Sequence, residues 1–247
     1  MSKLEDFYRQ DSVYGVAPTK EGTRNFVCVQ YRLEKSLELV QAQNPQRVLD
    51  IGCGDGFFAQ RIQETTGAYV CGIDISREAI LRARSRGIDA RQCDLNEGID
   101  LETETFDLIF CGEVIEHVFD PDSLLEEIWR ILSLEGHLII STPNLAAWYN
   151  RILLLLGFQP IFTETSTRKT FGRRFKVLGQ GSQPVGHLRV YTLAALKDIL
   201  SEHRFAIRRI RALPFLPFPI IYQLDKLIGT IPALGSNFLV LAQKPGV

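Results

Sequence analysis

The most constraining feature of this chain is a glycine-rich turn that follows an apolar, strand-like run. Val48-Leu-Asp-Ile51 leads into Gly52-Cys-Gly-Asp-Gly56 and then into Phe57-Phe-Ala59. Glycines at alternate positions allow a tight turn and a close approach of the backbone to a ligand. A helix that begins after such a turn offers its first amides to an anionic group. A dinucleotide fingerprint would need a glycine at position 57, so Phe57 disfavours NAD binding.

Short apolar runs alternate with amphipathic stretches between residues 47 and 143. This alternation is typical of β-α-β units and indicates an α/β fold with a mostly parallel sheet. It predicts five strands in this part of the chain. They are Arg47–Ile51, Tyr69–Ile73, Ala90–Cys93, Phe106–Cys111 and His137–Ser141.

Capping residues mark the helices between these strands. Ser76 can cap a helix that ends at Gly87, where a left-handed residue suits the helix end. Asp120, with Pro121 at the first helical position, begins another helix. We expect that helix to end at Gly136, just before the fifth strand.

The regions outside this core predict fewer elements. A helix over Arg24–Val40 precedes the first strand, and Leu145–Gly157 is an apolar helix candidate. A late helix runs from Thr192 to about His203, and strands near Ala206–Ala212 and Asn237–Gln243 close the sheet edge. We predict a single domain made of an N-terminal helical region (1–44), a core (45–143), an insertion (144–190), and a C-terminal sheet edge with an apolar lid (191–247).

Charge is unevenly distributed along the chain, although the formal net charge is -1. Residues 1–135 carry 25 acidic and 14 basic side chains, whereas residues 136–247 carry 4 and 14. The basic part either faces an anionic partner or is a solvated face without one. Five single cysteines, never in a C-x-x-C pair, and an amino terminus without an apolar run indicate a cytoplasmic protein. We expect neither disulfides nor a metal site.

The G-x-G-x-G spacing behind Asp50 resembles the first motif of class I S-adenosylmethionine-dependent methyltransferases. The similarity extends from about residue 45 to 143 and includes Gly72-Ile-Asp-Ile75, Asp94-Leu95 and the segment from Phe106 to His117. It implies a Rossmann-like fold with helices on both faces of a mostly parallel seven-stranded sheet, whose last strand is antiparallel. It also implies S-adenosylmethionine as cofactor and S-adenosylhomocysteine as product.

The resemblance gives each motif a place around the cofactor. The glycine loop would shape the site of the methionine moiety, Asp74 would accept hydrogen bonds from the ribose hydroxyls, and Asp94 with Leu95 would frame the adenine. All these positions follow the carboxyl ends of strands, where open α/β sheets bind ligands. The implied cofactor-binding residues are Asp50, Gly52, Cys53, Gly54, Asp55, Gly56, Phe57, Asp74, Ile75, Cys93, Asp94, Leu95, Glu113 and Val114.

Two histidines are candidates for a general base. Methyl transfer from a sulfonium depends on holding donor and acceptor in line, and a hydroxyl acceptor would also benefit from a base near neutral pH. His117 follows the fourth strand, and His187 lies in Gly186-His-Leu-Arg-Val-Tyr-Thr192, where Arg189 and Tyr191 share its alternating, strand-like face. Helix-start packing is the alternative role for His117.

Two subfamilies compete for the closer resemblance. Glu113-Val-Ile-Glu-His-Val-Phe-Asp-Pro121 and Ser141-Thr-Pro-Asn144 look like the O-methyltransferases of ubiquinone biosynthesis, which act on polyprenylated phenols and associate with membranes. Arg86–Gly98 also resembles a MetW-like family of methionine biosynthesis, which works with a homoserine acyltransferase. We expect O-methylation of a small or lipid-linked acceptor. The alternatives are methylation of carbon or nitrogen, and a cofactor-binding regulatory or scaffolding protein.

Apolar and basic segments in the second half suggest what the acceptor side contacts. Phe215, Phe218, Ile220 and Ile221, with three prolines nearby, make a poor helix and could form an apolar wall of a lid. The basic residues of the insertion would meet anionic headgroups or a phosphate. Packing onto the sheet edge or a dimer contact are the alternatives, and nucleic acid is disfavoured because no RNA-binding module accompanies the charges. The basic residues are Arg168, Lys169, Arg173, Arg174 and Lys176.

Overall fold

A seven-stranded sheet forms the centre of the structure, a computed structural model that describes residues 26–216 and 218–246. The strands lie side by side in the order β3-β2-β1-β4-β5-β7-β6. In chain order they are β1 (Arg47–Ile51), β2 (Tyr69–Asp74), β3 (Asp89–Gln92), β4 (Phe106–Gly112), β5 (Leu132–Pro143), β6 (Ala206–Leu213) and β7 (Asn237–Gln243). β7 is antiparallel to β5 and β6, and the other pairs are parallel, which confirms the predicted sheet.

Seven α-helices lie in the part of the chain that the structure describes. They are α1 (Phe26–Gln43), α2 (Phe57–Thr66), α3 (Arg77–Ser85), α4 (Pro121–Ile131), α5 (Trp148–Leu155), α6 (Leu193–Glu202) and α7 (Pro219–Ile228). Alternate residues of the central strands enter two separate buried clusters, one with α4 and α6 and the other with α1, α2 and α3. Helices therefore cover both faces of the sheet. The predicted start of α1 at Arg24 lies outside the described residues.

The caps of the central helices follow the sequence signals, with one exception. The Ser76 hydroxyl accepts a hydrogen bond from the Ala79 amide, and Asp120 caps α4 with Pro121 at its start. The predicted end of α4 at Gly136 is wrong, because the helix ends at Ile131 and β5 begins at once. Gly136 lies instead in a bulged part of β5, where an added Cβ would be 2.8 Å from the Ser133 carbonyl oxygen.

The apolar segment after β6 is partly helical, so the expectation of a poor helix is wrong. Pro219 stands in the first turn of α7, where a missing amide costs nothing, and Ile220 and Ile221 belong to the helix. A buried carboxylate, Asp225, joins α7 to its surroundings by accepting hydrogen bonds from Trp148 Nε1 (3.0 Å) and Ser236 Oγ (2.7 and 2.8 Å).

The insertion contains α5 and a short 3-10 helix, Lys176–Leu178, and is otherwise irregular. The expectation that Arg173 reaches an anionic partner is wrong, because its side chain is buried and donates to the carbonyl oxygens of Pro160, Thr163 and Leu178. The strand-like face at 187–191 is wrong too, apart from a single bridge between Tyr191 and Asn144. The division into four regions stays a prediction. Within the described residues, every helix is too short or too polar to cross a bilayer.

Candidate active site at the carboxyl end of the sheet

The glycine loop between β1 and α2 makes one wall of the site. Gly52, Gly54 and Gly56 all have positive φ, at 73°, 54° and 76°, a region that favours glycine. The amides of Gly52 and Cys53 donate to the Ile73 carbonyl oxygen at 2.8 and 3.0 Å, which fixes the loop against β2. A Cβ on Gly52 would lie 2.4 Å from Val114 Cγ2. The loop therefore packs closely against β2 on one side and against Val114 on the other.

Two buried carboxylates lie under this loop. Asp74 accepts hydrogen bonds from the Gly54 amide at 2.9 Å and the Ser76 amide at 2.8 Å, so it organises the loop as well as facing the cavity. Asp50 is 2% exposed, and its Oδ2 has no hydrogen-bond partner among the described residues. Burial, with the nearby charge of Asp74, raises the pKa of Asp50 to about 8.

A cavity of about 320 Å³ opens at the carboxyl ends of the parallel strands. Eleven of the fourteen predicted cofactor-binding residues line it, and so does His117. The eleven are Asp50, Gly52, Cys53, Phe57, Asp74, Ile75, Cys93, Asp94, Leu95, Glu113 and Val114. The motifs scattered over 65 residues of sequence thus meet in one place, because parallel strands end at the same edge of the sheet.

The other three predicted cofactor residues do not line the cavity. Asp55 binds Arg86 through its carboxylate (2.8 Å) and its carbonyl oxygen (2.9 Å). Gly56 lies against α3, where a Cβ would be 2.9 Å from the Ala83 Cα. Gly54 contributes its amide to Asp74. These three residues contact the protein behind the loop. The motif spacing alone could not show which loop residues face the cavity and which face away from it.

The turn after β3 forms another side of the cavity, at the residues predicted to frame the adenine. Asp94 Oδ1 accepts hydrogen bonds from the amide and the side chain of Asn96 at 3.0 and 2.9 Å. Asn96 Oδ1 in turn accepts a hydrogen bond from the Phe119 amide at 3.0 Å, which connects this turn to the loop after β4. Burial, aided by Asp94, raises the pKa of the Cys93 thiol to about 11, so the thiol is neutral.

Helix α1 supplies a wall that the sequence did not predict. Arg32 forms an ion pair with Glu113 at 2.7 Å, and both side chains are about three-quarters buried. Glu113 has a positive φ of 58° and also accepts hydrogen bonds from Ser141 and Asn237, at 2.8 and 3.0 Å. The amphipathic pattern predicted α1 but carried no signal for its position. The α1 residues at the cavity are Val29, Arg32, Leu33 and Ser36.

The two predicted histidines meet beside the cavity. The ring centroids of His117 and His187 are 4.8 Å apart, and their Nδ1 atoms face the carbonyl oxygens of Gly186 (3.1 Å) and Phe162 (3.0 Å). Burial lowers the pKa of both, that of His117 to about 4 with a contribution from His187. Both rings are therefore neutral near pH 7, with the proton on Nδ1.

Glu116 completes this cluster from below. It is fully buried, and its Oε2 accepts a hydrogen bond from Thr142 at 3.0 Å while Oε1 lacks a partner among the described residues. Burial and the charge of Glu113 raise its pKa well above the usual carboxyl range. One ligand atom from each of Glu116, His117 and His187 lies within 4.8 Å of the others, which is compatible with a metal ion. The expectation of no metal site stays untested.

The geometry fits S-adenosylmethionine. The cavity joins the glycine loop, the Asp50 oxygen that lacks a partner among the described residues, a strand-end carboxylate at Asp74, and a polar turn at Asp94. Gly52 lines this cavity, and its φ of 73° together with Val114 Cγ2 at 2.4 Å from the Cβ position leaves no room there for a side chain.

Comparison with known proteins identifies the family. The family model described as a methyltransferase domain matches residues 43–173. The chain belongs to this methyltransferase family. S-adenosylmethionine is its cofactor, and the class I resemblance is confirmed.

Curated relatives match less than half of the chain. A ubiquinone biosynthesis O-methyltransferase from Alkalilimnicola ehrlichii is 34% identical over 119 residues, which are 46% of this chain and 48% of the relative. One from Hahella chejuensis is 35% identical over 105 residues, 40% of this chain and 44% of the relative. The chain spans about half the length of the curated relatives it matches.

Solved structures share the fold. An S-adenosylmethionine-dependent methyltransferase from Mesorhizobium loti has a TM-score of 0.57 at 20% identity and covers 90% of this chain and 99% of its own. One from Aquifex aeolicus has a TM-score of 0.57 at 18% identity and covers 99% and 100%. At these identities the likeness shows the fold alone.

Proposed function

We propose that this chain transfers a methyl group from S-adenosylmethionine to a hydroxyl oxygen of a small or lipid-linked acceptor. The observation that carries the proposal is the cluster of Glu116, His117 and His187 beside the cofactor cavity. A hydroxyl acceptor becomes a better nucleophile when a base takes its proton, whereas a neutral amine can attack without losing a proton first. The curated relatives named as O-methyltransferases support the same choice of atom.

The chain's own residues would bind and orient the two reactants. The glycine loop would hold the methionine moiety, Asp74 the ribose and Asp94 with Leu95 the adenine. When bound, the cofactor supplies an electrophilic methyl group on a sulfonium. The enclosed walls from α1 and from the loop at Val185 would exclude water and hold the acceptor in line.

The histidine pair would take the proton of the acceptor hydroxyl. Because each Nδ1 faces a carbonyl oxygen, each ring presents Nε2 as the accepting nitrogen. The lowered pKa values keep both rings in the accepting, neutral form at physiological pH. They also make an isolated ring a weak base.

A divalent cation held by the same cluster is an alternative to the histidine base: the two Nε2 atoms would then be ligands, and the cation would activate the acceptor hydroxyl. The observation that favours it is Glu116, a fully buried carboxyl group with one oxygen unpartnered among the described residues. Two neutral imidazoles and one carboxylate are a common ligand set for divalent transition metals. A bound cation would lower the pKa of a coordinated hydroxyl and keep Glu116 ionised.

The decisive test is methyl transfer to simple catechols and to a lipid extract, followed by mass spectrometry of the product. We expect an O-methylated product, and at least a ~100-fold loss of turnover in His117→Ala, within the usual range for a general base. His137→Ala, a histidine in β5 that does not line the cavity, is the matched control. Product methylated on carbon or nitrogen would contradict the choice of oxygen. A stable partner enzyme and no turnover would favour the regulatory alternative.

The metal arm uses the same assay after chelation. We expect activity to fall on treatment with EDTA and to return with Mn²⁺, Zn²⁺ or Mg²⁺, and direct metal titration should weaken in Glu116→Gln. Unchanged activity after complete removal of metal would contradict the metal proposal, and the histidines would then be the base without a cation.

Peripheral membrane contact is proposed for the exposed face of the insertion. Phe171, Phe175 and Val177 are half or more exposed, and the exposed cations Arg174 and Lys176 flank Phe175. Apolar side chains flanked by cations suit an anionic lipid surface. Reversing Arg174 and Lys176 to Glu should release the protein from acidic vesicles at low salt. Absence of vesicle binding by the parent protein would end this part of the proposal.

A further inference from the structure

Residues 184–189, here called the strap, cross the loop after β4 without forming a helix or a strand. The side chain of Val185 lines the cofactor cavity, and the Gly186 carbonyl oxygen faces Nδ1 of His117 at 3.1 Å. The amides of Leu188 and Arg189 donate to the Glu116 carbonyl oxygen, at 2.8 and 3.2 Å. The strap therefore touches both the cavity and the histidine cluster, and only individual hydrogen bonds and packing hold it.

The end of the strap nearest the cavity is held by one carboxylate. Glu164 accepts hydrogen bonds from the Val185 amide at Oε1 (2.6 Å) and from the Gly186 amide at Oε2 (3.0 Å). Two successive amides thus converge on one carboxylate. Hydrogen bonds to an ionised acceptor are stronger than neutral ones, so this clamp restrains the strap more than a neutral contact would.

Glu164 is itself positioned by the buried guanidinium of the insertion. Arg173 donates to the carbonyl oxygens of Pro160 and Thr163 at 3.1 and 3.2 Å, which fixes the turn that precedes Glu164. In the same turn Phe162 has a positive φ of 74°, and its carbonyl oxygen faces His187 Nδ1 at 3.0 Å. A strained residue that persists in this way is held by its surroundings.

We propose that Glu164 is a positioning residue that fixes the strap and so holds His187 beside His117 and Val185 against the cavity. The insertion, on this proposal, acts on the reaction without touching the cofactor's glycine loop. The proposal rests on the proposed function only for its effect on turnover. The effect of Glu164 on the strap does not depend on which molecule accepts the methyl group.

The first experiment measures amide hydrogen exchange in the parent protein and in Glu164→Ala. We expect the amides of Val185 and Gly186 to exchange at least ~10-fold faster in the variant, because both lose a charge-assisted acceptor. Amides of β1 should exchange at parental rates. Glu126→Ala, an exposed glutamate on α4, is the matched control and should change neither set. Unchanged exchange at Val185 and Gly186 would overturn the proposal.

The second experiment separates cofactor binding from turnover. In Glu164→Ala we expect the Kd for S-adenosylhomocysteine to change by less than ~3-fold, while kcat falls at least ~10-fold and the acceptor KM rises. Glu164→Gln keeps one carbonyl acceptor and should recover part of kcat. Parental kcat in Glu164→Ala, or equal losses in cofactor affinity and kcat, would overturn the positioning role.

A parent protein without turnover on any acceptor would count against the proposed function alone. Hydrogen exchange and cofactor affinity would still decide whether Glu164 holds the strap. Faster exchange confined to the strap, with cofactor affinity retained, supports the clamp. Exchange that rises throughout the sheet in Glu164→Ala would mean that Glu164 stabilises the whole fold, which contradicts the proposal.

Discussion

Residues 45–143 and residues 144–190, for which the names core and insertion are kept, place their functional residues by different means. In the core, the register of the strands determines these positions. β1, β2 and β4 are paired along their length, and their carboxyl ends bring Asp50, Asp74 and Glu113 to one cavity. In the insertion, single side chains bind backbone atoms. Asn150, for example, donates to the Asn144 carbonyl oxygen and accepts the Ile161 amide. The core is thus a repetitive scaffold, and each position in the insertion depends on a few particular residues.

The strongest test of the core is Gly52→Ala. The added Cβ would lie 2.4 Å from Val114 Cγ2 in the cavity wall, so we expect cofactor affinity to fall at least ~100-fold by calorimetric titration with S-adenosylhomocysteine. Gly87→Ala is the matched control, because its φ is also positive but nothing lies within 4 Å of the added Cβ. It should lose about 1 kcal/mol of stability and keep cofactor affinity. Equal affinity in both variants would show that the loop is not in contact with ligand.

The corresponding test of the insertion compares two neighbouring arginines. Arg173→Ala removes the donor to three carbonyl oxygens in a buried place, and we expect a local loss of about 2–3 kcal/mol. Arg174→Ala, at an exposed position, should change stability by less than about 0.5 kcal/mol. Limited proteolysis within residues 160–182, with the urea unfolding midpoint of the whole chain, measures both. If Arg173→Ala loosens β1 and β4 as much as the insertion, the two regions are one cooperative unit.

Sequence alone was sufficient for most of the core because its patterns are local. Apolar runs gave the strands, Ser76 and Asp120 gave the helix starts, and the glycine spacing gave the loop. Strand ends of a parallel sheet meet at one edge, so motifs far apart in sequence could be assigned to one site. The error at Gly136 arose because a glycine after a helix resembles a helix end, whereas this one serves a bulge in β5.

Tertiary contacts decided the features that the sequence did not show. Arg173 belongs to a run of cations, and nothing in that run indicates that it is buried while Arg174 is exposed. Arg32 reaches Glu113 only because α1 packs against the sheet at that place. His117 and His187 were candidates separately, and the strap that carries His187 donates two amides to Glu164, a residue without a motif.

The remaining test of the core concerns Asp50, a buried carboxyl group of β1 whose Oδ2 has no hydrogen-bond partner among the described residues. Its pKa is raised from the usual carboxyl value to about 8 by burial and by Asp74. Between about pH 4 and 8 the folded chain therefore keeps a proton that the unfolded chain releases, so this contribution to stability is full below pH 4 and is lost as the pH rises through 8. Asp50→Asn cannot lose that proton.

Urea unfolding of ligand-free protein at pH 5, 7 and 9 checks this expectation. The free energy of unfolding should fall with pH less steeply in Asp50→Asn than in the parent, and the exposed Asp100→Asn should keep the parental slope. Parallel curves for Asp50→Asn and the parent would mean that the carboxyl group is ionised in the fold. The core would then tolerate the buried charge of Asp50 although its Oδ2 has no hydrogen-bond partner among the described residues, whereas the buried charge of Arg173 in the insertion has several. The two regions would then differ less in how they hold buried polar groups than their geometry suggests.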